Sequence, residues 1–566
     1  MNALYYGDNL AVLRESIADE SVDLIYLDPP FNSKRDYNVL FRTPKGHQSD
    51  AQIVAFEDSW QWGPQAEKEY REILDSGNTD AAEVIQSLRR FLGENDMMAY
   101  LTMMSNRLIE LRRVLKTTGS LYLHCDPTAS HYLKIVLDSV FGKENYRNEI
   151  IWKRTHSHND PKRFGTIHDS IFYYAKDIRR VRWFPIYIPY TQEYIDKYFK
   201  FLEPDGRRYW TNTLTAPGPR PNLEYPWKGV MPPPGRCWAM EKPKLEELER
   251  QGRIAYTKSG FPLRKYYLDE MKGAPAQDIW TDIPGLSGLS GNAAERLHYA
   301  TQKPLALLER ITSASSDIGD VVLDPFCGCG TAIHAAQKLG RAWIGIDITH
   351  LAIALVEKRL RDAFPGILFD VNGTPTDFDG ARDLALRDKY QFQWWACTLV
   401  NAQPYQGKKK GADAGIDGLI YFEDEKGLAK KVIVSVKGGE NITLTMLKDL
   451  IATVQGEKAQ IGMFVTLTPP TKPMVKEAAR AGFYDSPLGV SYPKIQILTV
   501  EGLLNGTERP EYPLSTGSGG VTFKRAKPEL KDTKQRDLFE KARSEVDALP
   551  LSAFIPPEES DEPEPE

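Results

Sequence analysis

Two short loops hold the residues best suited to chemistry. The first is Asp28-Pro29-Pro30-Phe31, at the end of the run SVDLIYLD (21–28). Its prolines stiffen the chain and remove backbone donors, leaving carbonyls as acceptors. The Asp28 carboxylate can accept one hydrogen bond from an exocyclic amine and a prolyl carbonyl the other. An amine held this way turns its lone pair towards an electrophile. Phe31 offers a face on which a base can stack. The second loop lies in VVLDPFCGCGT (321–331). Gly328 and Gly330 allow a sharp turn and close approach to a ligand. The helix start beyond them directs free N–H groups at a carboxylate or phosphate. About 20 residues on, AWIGID (342–347) ends in Asp347, an acid placed to accept from ribose hydroxyls. Alone, either loop reads as a turn; together they describe a site.

The elements that must position these loops are legible as α/β. Residues 21–28 are a short apolar run, as expected of a buried strand delivering a loop at its C-terminal edge. Over 96–116, Met97, Leu101, Met104, Leu108, Leu111 and Leu115 recur at helical spacing, with Asp96 as a possible cap and Gly119 beyond the end. Residues 119–126 read as a strand and 131–141 as a helix. From 151 to 295 prolines, glycines and aromatics break every period, and WKRTHSHNDPKR, RRVRWF, GRRYW and LRKYY interleave basic with aromatic side chains. That mixture suits phosphate contact and base stacking, although Trp210 and Trp280 suit a core equally well. Regular α/β resumes at 316, with a helix at 332–339, a strand at 342–347 and a helix to about residue 361. A further unit carries the apolar strands LIYF, KVIVSVK and IGMFVTL. The expected division is 1–150, 151–295, 296–385, 386–510 and a polar, acidic, disordered tail at 511–566.

Bulk properties narrow the class. The 566 residues are 41% hydrophobic and 26% charged, without the roughly 18-residue apolar run that spans a bilayer. MNALYYGDNLAVL lacks the features of a signal peptide. Five cysteines are too few for a disulfide framework, and the CGC spacing of Cys327 and Cys329 is not a zinc pair. A reducing, cytoplasmic setting is expected, with no membrane partner. The net charge of −5 is concentrated in Glu558, Glu559, Asp561, Glu562, Glu564 and Glu566, so the body is near neutral and can still hold a basic groove.

DPPF, LDPFCGCGT and IGID, in this order and with a long irregular segment between, resemble the β group of DNA amino-methyltransferases, which includes type III modification subunits. The matching features extend over roughly residues 1–365 and include Gly7-Asp8 and TQKPLALLERI (301–311). The resemblance implies a Rossmann-like S-adenosylmethionine-dependent methyltransferase of permuted motif order, with an inserted target-recognition region. It implies that Asp28, Pro29, Pro30 and Phe31 are catalytic. Thr301, Gln302, Lys303 and Pro304 would enclose the methionine part of the cofactor and Asp8 would lie near its adenine. Asp324, Pro325, Phe326, Gly328, Gly330 and Thr331 would hold its methionine end, and Asp347 the ribose. Aspartate at the head of the motif resembles adenine-N6 enzymes, with cytosine-N4 specificity the alternative. The implied reaction is direct methyl transfer to a flipped-out base of double-stranded DNA, with Cys125, Cys327 and Cys329 only packing. A restriction subunit or a second copy of the chain would be the protein partner.

GADAGIDGLIYF followed by KVIVSVKGG resembles the PD-(D/E)xK nucleases, in particular their Mrr-like branch. A C-terminal α/β restriction-endonuclease-like domain follows, with Asp417 on Mg²⁺, Asp413 as a second acid and Lys437 as catalytic lysine. Ser435 departs from the pattern, since it stands where the family has Glu, Asp or Gln and is a weak ligand for a hard cation. Three functions compete: a modification enzyme whose last unit only holds DNA, a single chain that both methylates and cuts, and a regulator without turnover. The two intact loops argue against the third. No helicase P-loop is present.

Overall fold

All six residues of Val22–Leu27 are buried, as the central strand of a sheet covered on both faces must be. In the computed structural model this strand is fifth of nine in one sheet. The structure describes residues 2–30, 36–42 and 48–57 (the last two as backbone), 61–157, 162–286, 295–297, 299, 301–405, 415–422, 424–425, 430–513 and 529.

In chain order the sheet strands are β1 (Ala3–Tyr6), β2 (Val22–Leu27), β3 (Leu115–Cys125), β4 (Tyr146–Lys153), β5 (His168–Ala175), β6 (Ile279–Trp280), β7 (Val321–Asp324), β8 (Ala342–Asp347) and β9 (Asp370–Asn372). Their spatial order is β6-β4-β5-β3-β2-β7-β8-β1-β9. Strand β5 runs antiparallel to β3 and β4; the other pairs are parallel. Leu24 lies opposite Val322 and Ile25 opposite Leu323, while Tyr6 pairs with Asp347. The loops after β1, β2, β7 and β8 therefore open at one edge, the usual ligand crevice of a doubly wound sheet.

The helix over Asp96–Val114 forms as expected, but Asn95 caps it by accepting from Met98 N. Strand β3 starts at once at Leu115, so Gly119 is inside that strand rather than at a helix end. A β-carbon there would strike Leu115 and the Asp23 carbonyl oxygen. Most of this helix is buried, because helices Pro64–Asp75 and Thr79–Leu92, invisible to the apolar-period reading, pack with it against the sheet.

Strands β4, β5 and β6 fall within or across the stretch expected to begin at 151, yet belong to the main sheet. Trp280 is core. A separate four-stranded antiparallel sheet takes Phe201–Leu202, Arg208–Thr213, Ile254–Tyr256 and Pro262–Tyr267, beside a small core around Trp238 and Leu245. Trp210 is half-buried and stacks on Tyr266. Several basic residues of this stretch are paired internally: Arg207 with Asp269 and Glu270, Arg208 with Asp196, Lys265 with Glu203.

The last unit is a five-stranded sheet ordered Gln403–Pro404, Gly418–Phe422, Lys430–Lys437, Ile461–Thr466, Ile495–Thr499. Its Leu419, Ile433 and Leu447 share a core with Leu351 and Leu355 from helix His350–Ala363, so the two α/β units are packed together. Apart from Glu529 and the start of the tail up to residue 513, the acidic tail lies outside the described residues. Among those described, no helix is long and apolar enough to cross a membrane.

Candidate active site

A cavity of about 420 Å³ opens at the shared strand edge, a volume within the range of small-molecule sites. It gathers Asp8, Asp28, Pro29, Pro30, Thr301, Lys303, Asp324, Pro325, Phe326, Gly328, Thr331 and Asp347. Gln302, Pro304 and Gly330 do not line it. The Gln302 side chain instead clamps Glu295 and Leu297 backbone groups at 3.0 and 2.7 Å. Pro304 precedes helix Leu305–Ser315. Phe31 lies outside the described residues.

Asp28 leaves β2 directly into the cavity. Lys303 Nζ donates to its Oδ2, and both side chains are largely buried. Asp28 Oδ1 is buried and has no hydrogen-bond partner among the described residues. A buried acceptor left so costs about 1–3 kcal/mol, more when charged. It is the acceptor that an incoming amine would satisfy.

The glycine turn after β7 is held from beneath. Cys327 N donates to Ile346 O at 3.0 Å and Gly330 N to Cys327 O at 2.7 Å. Gly330 is left-handed (φ 72°), and a β-carbon there would sit 2.8 Å from the Val356 methyls. This glycine shapes the turn without touching the cavity. Asp347 Oδ2 accepts from Gly328 N at 3.0 Å, and its Oδ1 from Thr349 N and Oγ1, both at 2.9 Å. Arg359, buried in helix His350–Ala363, donates to Cys329 O at 2.9 Å and Thr331 Oγ1 at 3.1 Å. An arginine amid the apolar run LAIALVEKRL was the only signal for that role.

Asp8 caps helix Asn9–Ser16 by accepting from Leu10 N and Ala11 N, while its Oδ2 accepts from Arg107 at 2.7 Å. Arg107 reaches Asn9 as well, at 2.6 Å. Tyr26, Asn9, Met103, Arg107 and Tyr299 line the cavity without having been singled out. Asn9 and Tyr26 come with their neighbours Asp8 and Asp28, whereas Met103 and Arg107 are brought there by the packing of helix Asp96–Val114.

Burial pushes Asp324 well above the usual carboxylate range, and the nearby Asp28 and Asp347 charges add to it. Asp347 is raised too, again by burial. Five carboxylates (Asp8, Asp28, Glu69, Asp324 and Asp347) and two cations (Arg107 and Lys303) line the described part of this cavity, a balance that favours a ligand with a positive centre.

In the C-terminal unit, Asp417 Oδ2 accepts from Val436 N at 2.7 Å and Ser435 Oγ at 3.3 Å, with Lys437 Nζ at 3.5 Å. Asp413 lies outside the described residues. Among those described, no group of three or more His, Cys, Asp or Glu side chains could hold a metal ion. A hard dication prefers several oxygen ligands, and Asp417 with a serine and an adjacent lysine does not fit the expected Mg²⁺.

A doubly wound sheet with a glycine turn and a DPP loop side by side defines a Rossmann-like methyltransferase fold. The family model described as DNA methylase, of the N6 and N4 type, matches residues 22–358, and the chain belongs to this family of DNA methyltransferases. A second model, NACHT-associated inactive Restriction Endonuclease 1, matches residues 395–505. That supports the endonuclease-like domain but not its assignment to the Mrr-like branch. The type II methyltransferase M.EcaI of Enterobacter cloacae is 31% identical over 361 residues, covering 63% of this chain and 69% of its own. The StyLTI Mod subunit of a type III restriction-modification enzyme from Salmonella typhimurium is 27% identical over 358 residues, covering 60% of this chain. The chain thus spans 50% of that subunit's length. The solved PvuII DNA methyltransferase (cytosine-N4-specific) aligns over 65% of this chain and 89% of its own, at 13% identity and a TM-score of 0.32.

Proposed function

We propose that the chain methylates adenine N6 in double-stranded DNA, as the modification activity of a restriction-modification or related system. The observation that carries this is the buried Oδ1 of Asp28, without a hydrogen-bond partner among the described residues, at the edge of the cavity beside two prolyl residues. S-adenosylmethionine would supply an electrophilic methyl group. The carboxylates of Asp324 and Asp347 suit its positive centre and ribose, and the Gly328 turn leaves room for close approach. Asp28 and a prolyl carbonyl would hold the two N–H groups of the target amine, favouring a pyramidal nitrogen. Most of the acceleration then comes from positioning and fixed charge. The base must leave the duplex to reach this depth. Double-stranded DNA would run over the strand edge and the 151–295 stretch, and a restriction subunit or second copy could join it.

The C-terminal domain would hold DNA without cutting it, given Ser435 and the absence, among the described residues, of a metal-binding cluster around Asp417. The test is a nucleoside digest. Unmethylated DNA incubated with the protein, S-adenosylmethionine and Mg²⁺ is expected to yield N6-methyladenine and stay full length. N4-methylcytosine alone would overturn the base assignment, and cleavage would restore the single-chain restriction reading.

A pH effect follows from Asp324. Its raised affinity for protons means that the free protein keeps this carboxyl protonated above the pH at which an ordinary aspartate ionises. A bound cation favours the ionised form, so binding releases a proton. Cofactor affinity is therefore expected to rise with pH through Asp324's elevated range and fall in acid. Calorimetry in buffers of different ionisation enthalpy measures that proton directly. Heats independent of buffer would show that Asp324 does not respond to the ligand.

A further inference from the structure

One residue of the C-terminal tail returns to the methyltransferase unit. Glu529 bridges the two helices behind the glycine turn, Thr331–Lys338 and His350–Ala363. Its backbone N donates to Ala363 O at 2.8 Å, satisfying one of the carbonyls that a helix end leaves open. Its Oε1 lies 3.0 Å from His334 Nε2, 195 residues away in sequence. Its Oε2 lies 3.5 Å from Lys338 Nζ, an ammonium that Glu309 also approaches, at 3.0 Å. Across the imidazole, Arg359 Nε is 3.2 Å from His334 Nδ1. Arg359 in turn holds Cys329 O and Thr331 Oγ1, and Thr331 lines the cavity. His334 and Arg359 are 4% and 5% exposed, deep enough that an unsatisfied link would be costly.

Donors and acceptors along this chain have one consistent assignment. A guanidinium only donates, so His334 Nδ1 is the acceptor of the Arg359 bond and carries no proton. The ring proton is then on Nε2 and points at Glu529. Burial holds the imidazole below its usual range against the Glu529 hydrogen bond, and the Arg359 charge adds to burial, in keeping with a neutral ring. Phe364 packs on that ring, with centroids 5.0 Å apart. Glu529 thus sets an anion one imidazole away from a buried cation. Burial draws the Arg359 guanidinium below its usual range, and Cys329, Glu295 and Glu529 work against that fall. Without its partners a buried charge is strongly destabilising, and a turn that is not held must be ordered by its ligand, at a cost in affinity.

We propose that Glu529 is a positioning residue for the cofactor: docked on His334, it steadies Arg359 and through it the glycine turn, so that the tail contact and S-adenosylmethionine binding strengthen each other. This rests on the S-adenosylmethionine reading of the cavity. Such coupling is reciprocal, and each partner changes the other's affinity by the same factor.

The experiment pairs calorimetric titration of S-adenosylmethionine with hydrogen exchange of the peptide spanning residue 529, in the full-length wild type, Glu529→Ala and Glu529→Gln. Without cofactor, that peptide should exchange more slowly in the wild type than in Glu529→Ala. Glu529→Ala is expected to bind S-adenosylmethionine about fivefold more weakly, the size of one hydrogen bond, with the loss in KM for the cofactor rather than in kcat. Glu529→Gln keeps an oxygen for His334 Nε2 and should lie between the two. Saturating cofactor should slow exchange at residue 529 in the wild type by the same factor of about five. A merely structural contact would show protection in the wild type but equal cofactor affinity in all three proteins, and that result overturns the proposal. So does a wild-type peptide no better protected than in Glu529→Ala. Tighter binding in Glu529→Ala overturns it as well, marking the contact as inhibitory. A protected peptide in a wild type that binds no S-adenosylmethionine overturns the cofactor reading, and the proposal with it. The Glu529 side chain is 27% exposed, so both variants should fold, which thermal melting checks.

Discussion

Asp28→Ala is expected to lower the rate of methyl transfer by about 10²–10³-fold, the usual effect of deleting one preorganised group in a closed site. S-adenosylmethionine should still bind within a few-fold of wild type, because the glycine turn, Asp324 and Asp347 hang from other strands. The assay is radiolabelled methyl incorporation at saturating DNA, run beside calorimetry of cofactor binding. Alanine also removes the carboxylate that the Lys303 ammonium donates to, so Asp28→Asn, which keeps the shape and lacks the charge, separates chemistry from folding. Full methyl transfer in either variant would remove Asp28 from the mechanism.

The second large effect is expected at Lys303. The sequence resemblance assigns it to the cofactor, whereas the structure puts its ammonium on Asp28. With both side chains mostly buried, Lys303→Met leaves a carboxylate in the cavity without its cation, and breaking a buried pair from one side costs about 3–5 kcal/mol. Denaturation of the methyltransferase unit should shift accordingly, and methyl transfer should fall with it. Adding Asp28→Asn to Lys303→Met should return part of the stability, since no charge is then left unpaired. A double-mutant cycle reads this coupling. Independent, additive effects would mean that the pair does not form in solution.

The two loops were legible because their signals are local. A buried run that ends in DPP and a strand that ends in DPFCGCG each announce a turn at a strand edge, and both occur where expected. The helix over Asp96–Val114 was legible in outline but not at its ends, because a strand follows without a turn and Gly119 serves close packing. What stayed hidden depends on strand order. Lys303 reaches Asp28 across 275 residues, and Tyr26, His124 and Asp169 meet only because β2, β3 and β5 are neighbours. Gln302 shows the converse. It sits in the expected motif, yet its amide holds a backbone segment rather than facing the cavity. The basic-aromatic stretch misled in part, since charge counts do not reveal which cations already have partners.

Strands β2 and β7 lie side by side, yet Leu27 and Val321 are separated by roughly 300 residues of chain. At a ribosomal pace of about 5–20 residues per second, some 15–60 s pass between the emergence of one and the other. During that interval a largely apolar strand has an open edge, the kind that pairs with the wrong neighbour. The helices Pro64–Asp75, Thr79–Leu92 and Asp96–Val114 are translated early in this gap and cover one face of the waiting strand. A nascent chain thus shields half of its unfinished sheet long before it can bind anything.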